Sequence, residues 1–266
     1  MKHKVLSIIM PVYNEARTFE EIFQKVLKQK VPLKKEILIV ESGSTDGTRE
    51  LVMKYATGKA KRKKLPDGTT YQAHSPKKVG NIKVTVFLES KARGKGHALQ
   101  VGFKEVKGDI ILIQDGDLEY KTSEYPKLLK PILSGKTDFV LGSRHAHGST
   151  WKIRKMRGIS LYAEIINLGH LFFTTLLNVL YDVSLTDPAT MFKVFTSKSA
   201  ENIHWKSNYF ELDWEIVTKL IRKGYRPLEV PVYYASRTNE EGKKIRFFRD
   251  GFLVLGAIIR FRFSKI

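Results

Sequence analysis

Val5-Leu6-Ser7-Ile8-Ile9-Met10-Pro11-Val12 is the stretch that decides the fold. It is a short apolar run, and Phe19, Ile22, Phe23, Val26 and Leu27 follow it at helical spacing, so the chain opens with a strand and a helix. Working outward, the pattern recurs. Glu36 to Val40 reads as a second strand, followed by Ser42-Gly43-Ser44-Thr45-Asp46-Gly47, whose Ser, Thr and Asp are N-cap types for a helix running through Tyr55. Lys83 to Leu88 and Asp109 to Ile113 read as a third and a fourth strand around a helix from about Lys95 to Val106, and Phe139 to Leu141 as a fifth. Apolar strands separated by helices imply an α/β architecture with a mostly parallel central sheet and helices on both faces. In such sheets ligands sit at the carboxyl ends of the strands, so chemistry is sought in the loops that follow them.

Gly58 to Asn81 breaks the alternation with seven basic residues, one acid and the turn signals Pro66, Asp67-Gly68 and Pro76. It reads as an inserted basic loop or hairpin, either a solvated surface or a patch for anionic lipid or nucleic acid. Beyond it, Met156 to Tyr181 has the pattern of one or two amphipathic helices, and Glu211 to Lys223 that of another. Arg226 to Tyr234 reads as a late strand kept near a sheet edge by Pro231. The tail from Lys243 interleaves seven Lys and Arg with Phe247, Phe248, Phe252, Ile258, Ile259, Phe261 and Phe263, the pattern of a helix that lies in a membrane interface or packs back on the domain. The pattern divides the chain into a domain over 1–246, with a division at 120, the insertion at 58–81 and the amphipathic helices at 156–181, and a basic amphipathic tail over 247–266.

Composition narrows the classes. The 266 residues, 42% of them hydrophobic, support a packed core and exclude global disorder. With no Cys, disulfide frameworks, thiolate metal sites and a Cys nucleophile are excluded. A net charge of +20 calls for an anionic neighbour: nucleic acid, lipid headgroups or phosphorylated small molecules. After Lys4 the N-terminus holds only five apolar residues before Pro11, too few for a signal peptide, and no apolar run reaches the length of a membrane span. The chain is expected to stay in the cytoplasm, peripheral to the cytosolic face of a membrane.

Asp115-Gly116-Asp117 ends the fourth strand. If strand geometry persists, residues two apart face one side, and the glycine between them lets a ligand approach the backbone. A partly open pair of carboxylates suits Mg²⁺ or Mn²⁺ that also holds phosphates; the alternative is an ordinary Asp-Gly turn. An EF-hand fails, since Tyr120 and Pro126 occupy the positions that need Gly and Glu. Gly94-Lys95-Gly96 opens a helix but has Leu99 in place of a third glycine, and no P-loop exists, so a dinucleotide fingerprint is disfavoured. Lys95 keeps a role near a phosphate at a helix N-terminus or is a surface lysine on a tight turn.

Pro11-Val12-Tyr13-Asn14-Glu15, Glu41-Ser42-Gly43-Ser44-Thr45-Asp46-Gly47-Thr48, Arg93-Gly94-Lys95-Gly96, Asp115-Gly116-Asp117 and Gly142-Ser143-Arg144 together resemble glycosyltransferase family two, which has the GT-A fold. Thr186-Asp187-Pro188, Phe210 to Trp214, Glu229-Val230-Pro231, Arg237-Thr238 and Glu241 to Lys244 look like its dolichol-phosphate mannosyltransferase and polyprenyl-phosphate glycosyltransferase branch. The resemblance implies an inverting transfer of a hexose from a nucleotide diphosphate sugar, GDP-mannose or a UDP-sugar. It places Pro11, Tyr13, Glu15, Glu41, Asp46, Lys95 and Gly116 at the donor and makes Asp115 and Asp117 the metal pair. Many relatives have Asp where this chain has Glu41, which leaves the choice of GDP or UDP open.

For the acceptor, the resemblance implies a polyprenyl or dolichyl phosphate, already anionic and in need of no general base. A glycan hydroxyl would need one, with Asp187 or Asp213 the candidates, unless Asp187 only orients its neighbours. Arg144, Arg157, Arg237 and Lys244 match the family's cations around the acceptor phosphate, with Arg154 an alternative to Arg157. An anionic membrane surface and a membrane partner subunit are the further partners implied. Two readings from other classes compete. A basic nucleic-acid-binding protein would lack any recognisable module here, so no nucleic-acid partner is expected. A sugar nucleotidyltransferase would release pyrophosphate.

Overall fold

The computed structural model describes residues 3–145, 160–235 and 247–264. In chain order the first half runs β1 (Val5–Val12), α1 (Phe19–Lys28), β2 (Lys34–Glu41), α2 (Thr48–Met53), β3 (Thr57–Lys64), β4 (Thr70–Ser75), β5 (Lys77–Val79), β6 (Ile82–Glu89), α3 (Lys95–Glu105) and β7 (Ile110–Ile113). It continues with α4 (Tyr125–Leu133), β8 (Phe139–Ser143), α5 (Ser160–Tyr181), β9 (Lys193–Thr196), the single turn α6 (Ser197–Ala200), α7 (Leu212–Arg222), β10 (Leu228–Pro231) and α8 (Phe247–Phe263).

The strands form one sheet in the order β10-β8-β9-β7-β1-β2-β6-β4-β3, with β5 also on β6. Its centre is parallel, as expected: β1 pairs in parallel with β2 and β7, and β2 with β6. Antiparallel pairs flank that centre, while β10 at the far edge pairs in parallel with β8. The basic insertion is a hairpin, β3 on β4 and β4 on β6, because connections this short only return a strand alongside its neighbour in the opposite sense. On the other side β9 runs antiparallel to both β7 and β8, so the sheet as a whole is mixed. Lys193–Thr196 is a strand that the sequence pattern did not announce. β10 lies at the edge, where Pro231 costs no ladder bond.

Alternation along β2 shows how the two faces are filled. Ile37 and Ile39 join the larger core, which holds Phe19, Ile22, Phe23 and Val26 of α1, while Leu38 and Val40 meet Ala98 and Val101 of α3 on the other face. Each such fully buried aliphatic or aromatic side chain contributes about 1.5–3 kcal/mol. Beside the sheet, α5, α7 and α8 pack on one another, with Ile216, Val217 and Leu220 of α7 and Val254, Ile258 and Phe261 of α8 buried. The tail therefore packs back on the domain along one face. Of the segment expected at 156–181, Ser160–Tyr181 is one helix and 156–159 lie outside the described residues. No helix among the described residues is long and apolar enough to cross a membrane.

Candidate active site

The carboxyl ends of β1, β2, β7 and β8 open on a cavity of about 590 Å³. Its wall carries Pro11, Tyr13 and Glu15 after β1, Gly94 and Lys95 at the start of α3, Asp115, Gly116, Asp117 and Glu119 after β7, and Arg144 after β8. Tyr209, Phe210 and Asp213 at the start of α7, Tyr234, and Arg249 of α8 complete it.

Local chemistry shapes each segment. Asn14 adopts a left-handed φ of 50°. Its side chain accepts from Thr45 N (2.9 Å), Ser44 Oγ accepts from Asn14 N (3.0 Å) and Thr48 Oγ1 accepts from Glu15 N (2.8 Å), which knits the loops after β1 and β2 together. Asp46 does the same from outside, accepting from Ala16 N (3.0 Å) and Thr48 N (3.0 Å). Glu41 is buried and accepts from Ser44 N (2.6 Å) and Arg49 Nε (2.6 Å). Neither Glu41 nor Asp46, both expected at the nucleotide, lines the cavity; they hold the loop that carries its wall.

Gly94 and Gly96 are needed for close approach rather than as a phosphate fingerprint. A Cβ on Gly96 would stand 2.6 Å from Ser207 O and 2.8 Å from Tyr209 O, and one on Gly94, at φ 107°, 2.2 Å from Asn208 O. His97 N donates to Asn208 O (3.0 Å), which locks α3 to the 207–209 segment.

The carboxylate pair follows β7 by two residues. Asp115 accepts from Lys95 Nζ at 3.0 Å, and Lys95 also stands 3.8 Å from Asp213, which in turn pairs with the fully buried Lys193 at 3.0 Å. Asp117 is buried and accepts from Glu119 N (3.0 Å). Burial pushes the Asp115 carboxyl up; Lys95 opposes this, and Asp213 and Glu119 add to it. Burial would lower the Lys95 ammonium, but Asp115 and Asp213 outweigh that and keep it cationic. Two carboxylates beside an open cavity are the donor set that Mg²⁺ or Mn²⁺ takes when phosphates and water supply the remaining oxygens. Among the described residues no cluster of three or more His, Asp or Glu is arranged to cage a metal ion alone.

Across the cavity, Asp187 is fully buried and both its oxygens are given to Arg144: Oδ2 accepts from Nε (2.7 Å) and backbone N (2.9 Å), and Oδ1 from Nη2 (2.6 Å). Burial alone would raise its carboxyl, yet the Arg144 charge and hydrogen bonds bring it down to about 2. Glu229 accepts from Thr186 N and Asp187 N (2.7 Å for the latter), fixing the turn that presents Asp187. His170 stands 3.8 Å from Asp187 Oδ1, and burial lowers its imidazole to about 4. Arg144 faces the Tyr234 ring at 5.1 Å. Arg157, Arg237 and Lys244 lie outside the described residues.

The structure thus brings Pro11, Tyr13, Glu15, Lys95, Asp115, Gly116, Asp117, Arg144 and Asp213 to one cavity, keeps Asp187 behind Arg144, and adds residues that sequence reasoning missed. Lys193 had a signal, a lone charge inside Met191-Phe192-Lys193-Val194-Phe195. Arg249 had none, since only the packing of α8 brings it to the cavity.

A parallel-centred sheet with acidic and cationic side chains gathered at its carboxyl rim is the architecture of the GT-A fold. The chain belongs to the family described as Glycosyl transferase family 2, whose sequence profile matches residues 7–203. Dolichol-phosphate mannosyltransferase from Pyrococcus furiosus is 27% identical over 239 residues, 90% of this chain; the chain spans 58% of that relative's length. Among solved structures, glucosyl-3-phosphoglycerate synthase from Mycobacterium tuberculosis in complex with Mn²⁺, uridine diphosphate and phosphoglyceric acid superposes with a TM-score of 0.64 at 15% identity, covering 100% of this chain and 80% of its own. The mannosyltransferase PcManGT from Pyrobaculum calidifontis in complex with GDP-Man and Mn²⁺ gives a TM-score of 0.51 at 21% identity, covering 85% and 54%. At these identities the structural likeness carries the fold.

Proposed function

We propose that the protein moves a hexose, with inversion, from a nucleotide diphosphate sugar to a polyprenyl or dolichyl phosphate at the cytosolic face of a membrane. The observation that carries this reading is one cavity that sets Asp115 and Asp117 against Lys95, Arg144 and Arg249. Pro11, Tyr13 and Glu15 receive the nucleoside, and Asp115 and Asp117 hold Mg²⁺ or Mn²⁺. When bound, the ion supplies Lewis-acid neutralisation of the departing diphosphate. Lys95, paired with Asp115, adds a fixed positive charge beside it. Residues 1–120 serve as the donor half, 121–246 as the acceptor half and 247–266 as a basic tail against the membrane.

The acceptor assignment rests on the absence of a suitable base among the two candidates weighed. Asp187, held near 2 with both oxygens on Arg144, is too weak and too encumbered to take a hydroxyl proton. Asp213 is paired by Lys193 and Lys95. A lipid phosphate arrives already ionised and asks for cations instead, which Arg144 supplies. The naming of the Pyrococcus relative agrees with that acceptor, and the Mn²⁺, UDP and GDP-Man of the two superposable structures with the donor class and the metal.

The test is incubation with GDP-mannose or UDP-hexoses, Mn²⁺ and a polyprenyl phosphate, following prenyl-phosphosugar and released nucleoside diphosphate. Both are expected in equal amounts. Release of pyrophosphate from a sugar phosphate and a nucleoside triphosphate would instead assign a nucleotidyltransferase.

A further inference from the structure

Lys95, Arg144 and Arg249 are the cationic side chains among the described residues of the cavity wall. The first two are engaged, Lys95 by Asp115 and Arg144 by Asp187. Arg249 is held differently. Its guanidinium lies over the Tyr209 ring at 4.4 Å, Nε and Nη2 both donate to Asp250 Oδ1 (3.0 and 2.9 Å), and the side chain remains 40% exposed. An aromatic face on one side and a single carboxylate oxygen at one edge orient the planar fork without covering it. That is the preorganisation with which arginine binds a phosphate through paired hydrogen bonds.

The rest of α8 bears on what Arg249 meets. Its inner face, Val254, Ala257, Ile258 and Phe261, is buried, and its backbone is tied down by Tyr181 Oη to Ile258 O (2.8 Å) and Arg222 Nη1 to Phe261 O (2.6 Å). Its outer face carries Phe252, Ile259 and Phe263, seven and four residues apart and so on one stripe, with Phe252 and Phe263 about three-quarters exposed, at 73% and 76%. Arg260 and Arg262 are exposed beside that stripe. Exposed aromatics flanked by arginines match the apolar and anionic layers of a lipid surface. Next to Arg249, Asp250 and Gly251 wall a second space of about 150 Å³ with Ile166, Phe173, Trp214 and Val254, which meets the main cavity at Ala189, Phe210 and Asp213. A charged pocket whose wall includes Arg249 therefore adjoins a mainly apolar groove walled by the next two residues, Asp250 and Gly251.

Resting on the polyprenyl-phosphate reading, we infer that Arg249 is the clamp for the acceptor's phosphate, and that α8 brings it there by lying on an anionic bilayer through Phe252, Ile259 and Phe263. Docking to the membrane and capture of the headgroup are then a single event on one helix. The apolar groove takes the carbons next to the phosphate.

The experiment uses the full chain and farnesyl phosphate, a soluble short isoprenyl phosphate, titrated calorimetrically. Arg249→Gln is expected to weaken farnesyl phosphate about tenfold to a hundredfold, Arg249→Lys to recover part of it, and both to leave the affinity for GDP or UDP with Mn²⁺ unchanged. Phe252→Ser combined with Phe263→Ser is expected to abolish sedimentation with phosphatidylglycerol-containing phosphatidylcholine vesicles while keeping wild-type affinity for farnesyl phosphate. Unchanged farnesyl phosphate binding in Arg249→Gln, or a loss of nucleotide affinity in its place, overturns the clamp. Vesicle binding retained by the double serine variant overturns the docking face. A wild-type protein that binds nucleotide but no farnesyl phosphate sinks the acceptor reading itself, and the clamp with it.

Discussion

Replacing Asp187 by Asn tests the acceptor side of the cavity most directly. In the wild type the carboxylate is fully buried, and its folded value of about 2 lies below the ordinary 3.8. A depressed carboxyl contributes stability that is present above the unfolded value and is lost as pH falls through the folded one, here between about 4 and 2; the shift is worth about 2 kcal/mol. The substitution removes more than that, because Arg144, with its side chain 7% exposed, loses its countercharge, and breaking a buried pair from one side costs about 3–5 kcal/mol. The larger figure governs, since the proton linkage counts only Asp187. For a chain of this size it lowers the melting temperature by roughly 6–20 °C at pH 7. The difference from wild type should shrink as the pH approaches 2. Turnover should fall through a weakened acceptor KM, with the shape of the pH–rate profile unchanged. Calorimetric melts at pH 7 and 3 and kinetics from pH 5 to 9 measure both. A variant that melts with the wild type would refute the pairing with Arg144, and one that loses an acidic limb from its pH–rate profile would show that Asp187 works as a base.

Asp117→Asn should keep the fold, as its melting temperature will show, while Mn²⁺-dependent turnover drops by roughly two orders of magnitude or more; activity equal to wild type would remove Asp117 from the metal site. Gly96→Ala should destabilise by about 1–3 kcal/mol and raise the donor KM, because the added methyl meets backbone oxygens of the 207–209 segment that have no rotamer to move. An Ala variant with wild-type Tm and KM would contradict that contact. His170, lowered to about 4, is neutral in the fold and binds its proton more readily unfolded, so stability should fall from pH 6.5 toward 4 by up to about 3 kcal/mol. His170→Gln should flatten that part of the Tm–pH curve, and a curve parallel to wild type would place the titration elsewhere.

The centre of the sheet was legible because burial on both faces writes itself as apolar runs, broken only by Ser7 in Val5–Val12 and unbroken in Ile110–Ile113. The carboxylate pair was legible for a local reason as well, since it follows directly on such a run. What stayed hidden depends on contacts distant in sequence. Lys193–Thr196 is too short for its alternation to register, and it runs antiparallel to both its neighbours. Helix α4 contains Pro126 and Pro131, which argue locally for turns, yet Leu128, Leu129 and Ile132 bury a full face and outweigh them. Glu41, at the end of β2, and Asp46, in the loop after it, accept from the backbone amides of Ser44, Thr48 and Ala16, contacts that no local pattern encodes. Arg249 reaches the cavity from more than a hundred residues beyond Asp115, a juxtaposition that no spacing rule encodes.

The reversed strand β9 sets a ruler across the active rim. By interposing itself between β7 and β8 it keeps those two strands pointing the same way while separating them by two inter-strand steps, roughly 10 Å. The acids that follow β7 and the arginine that follows β8 are therefore held apart by the sheet's own lattice. A sheet in which β7 and β8 were direct neighbours would halve that spacing, to roughly 5 Å.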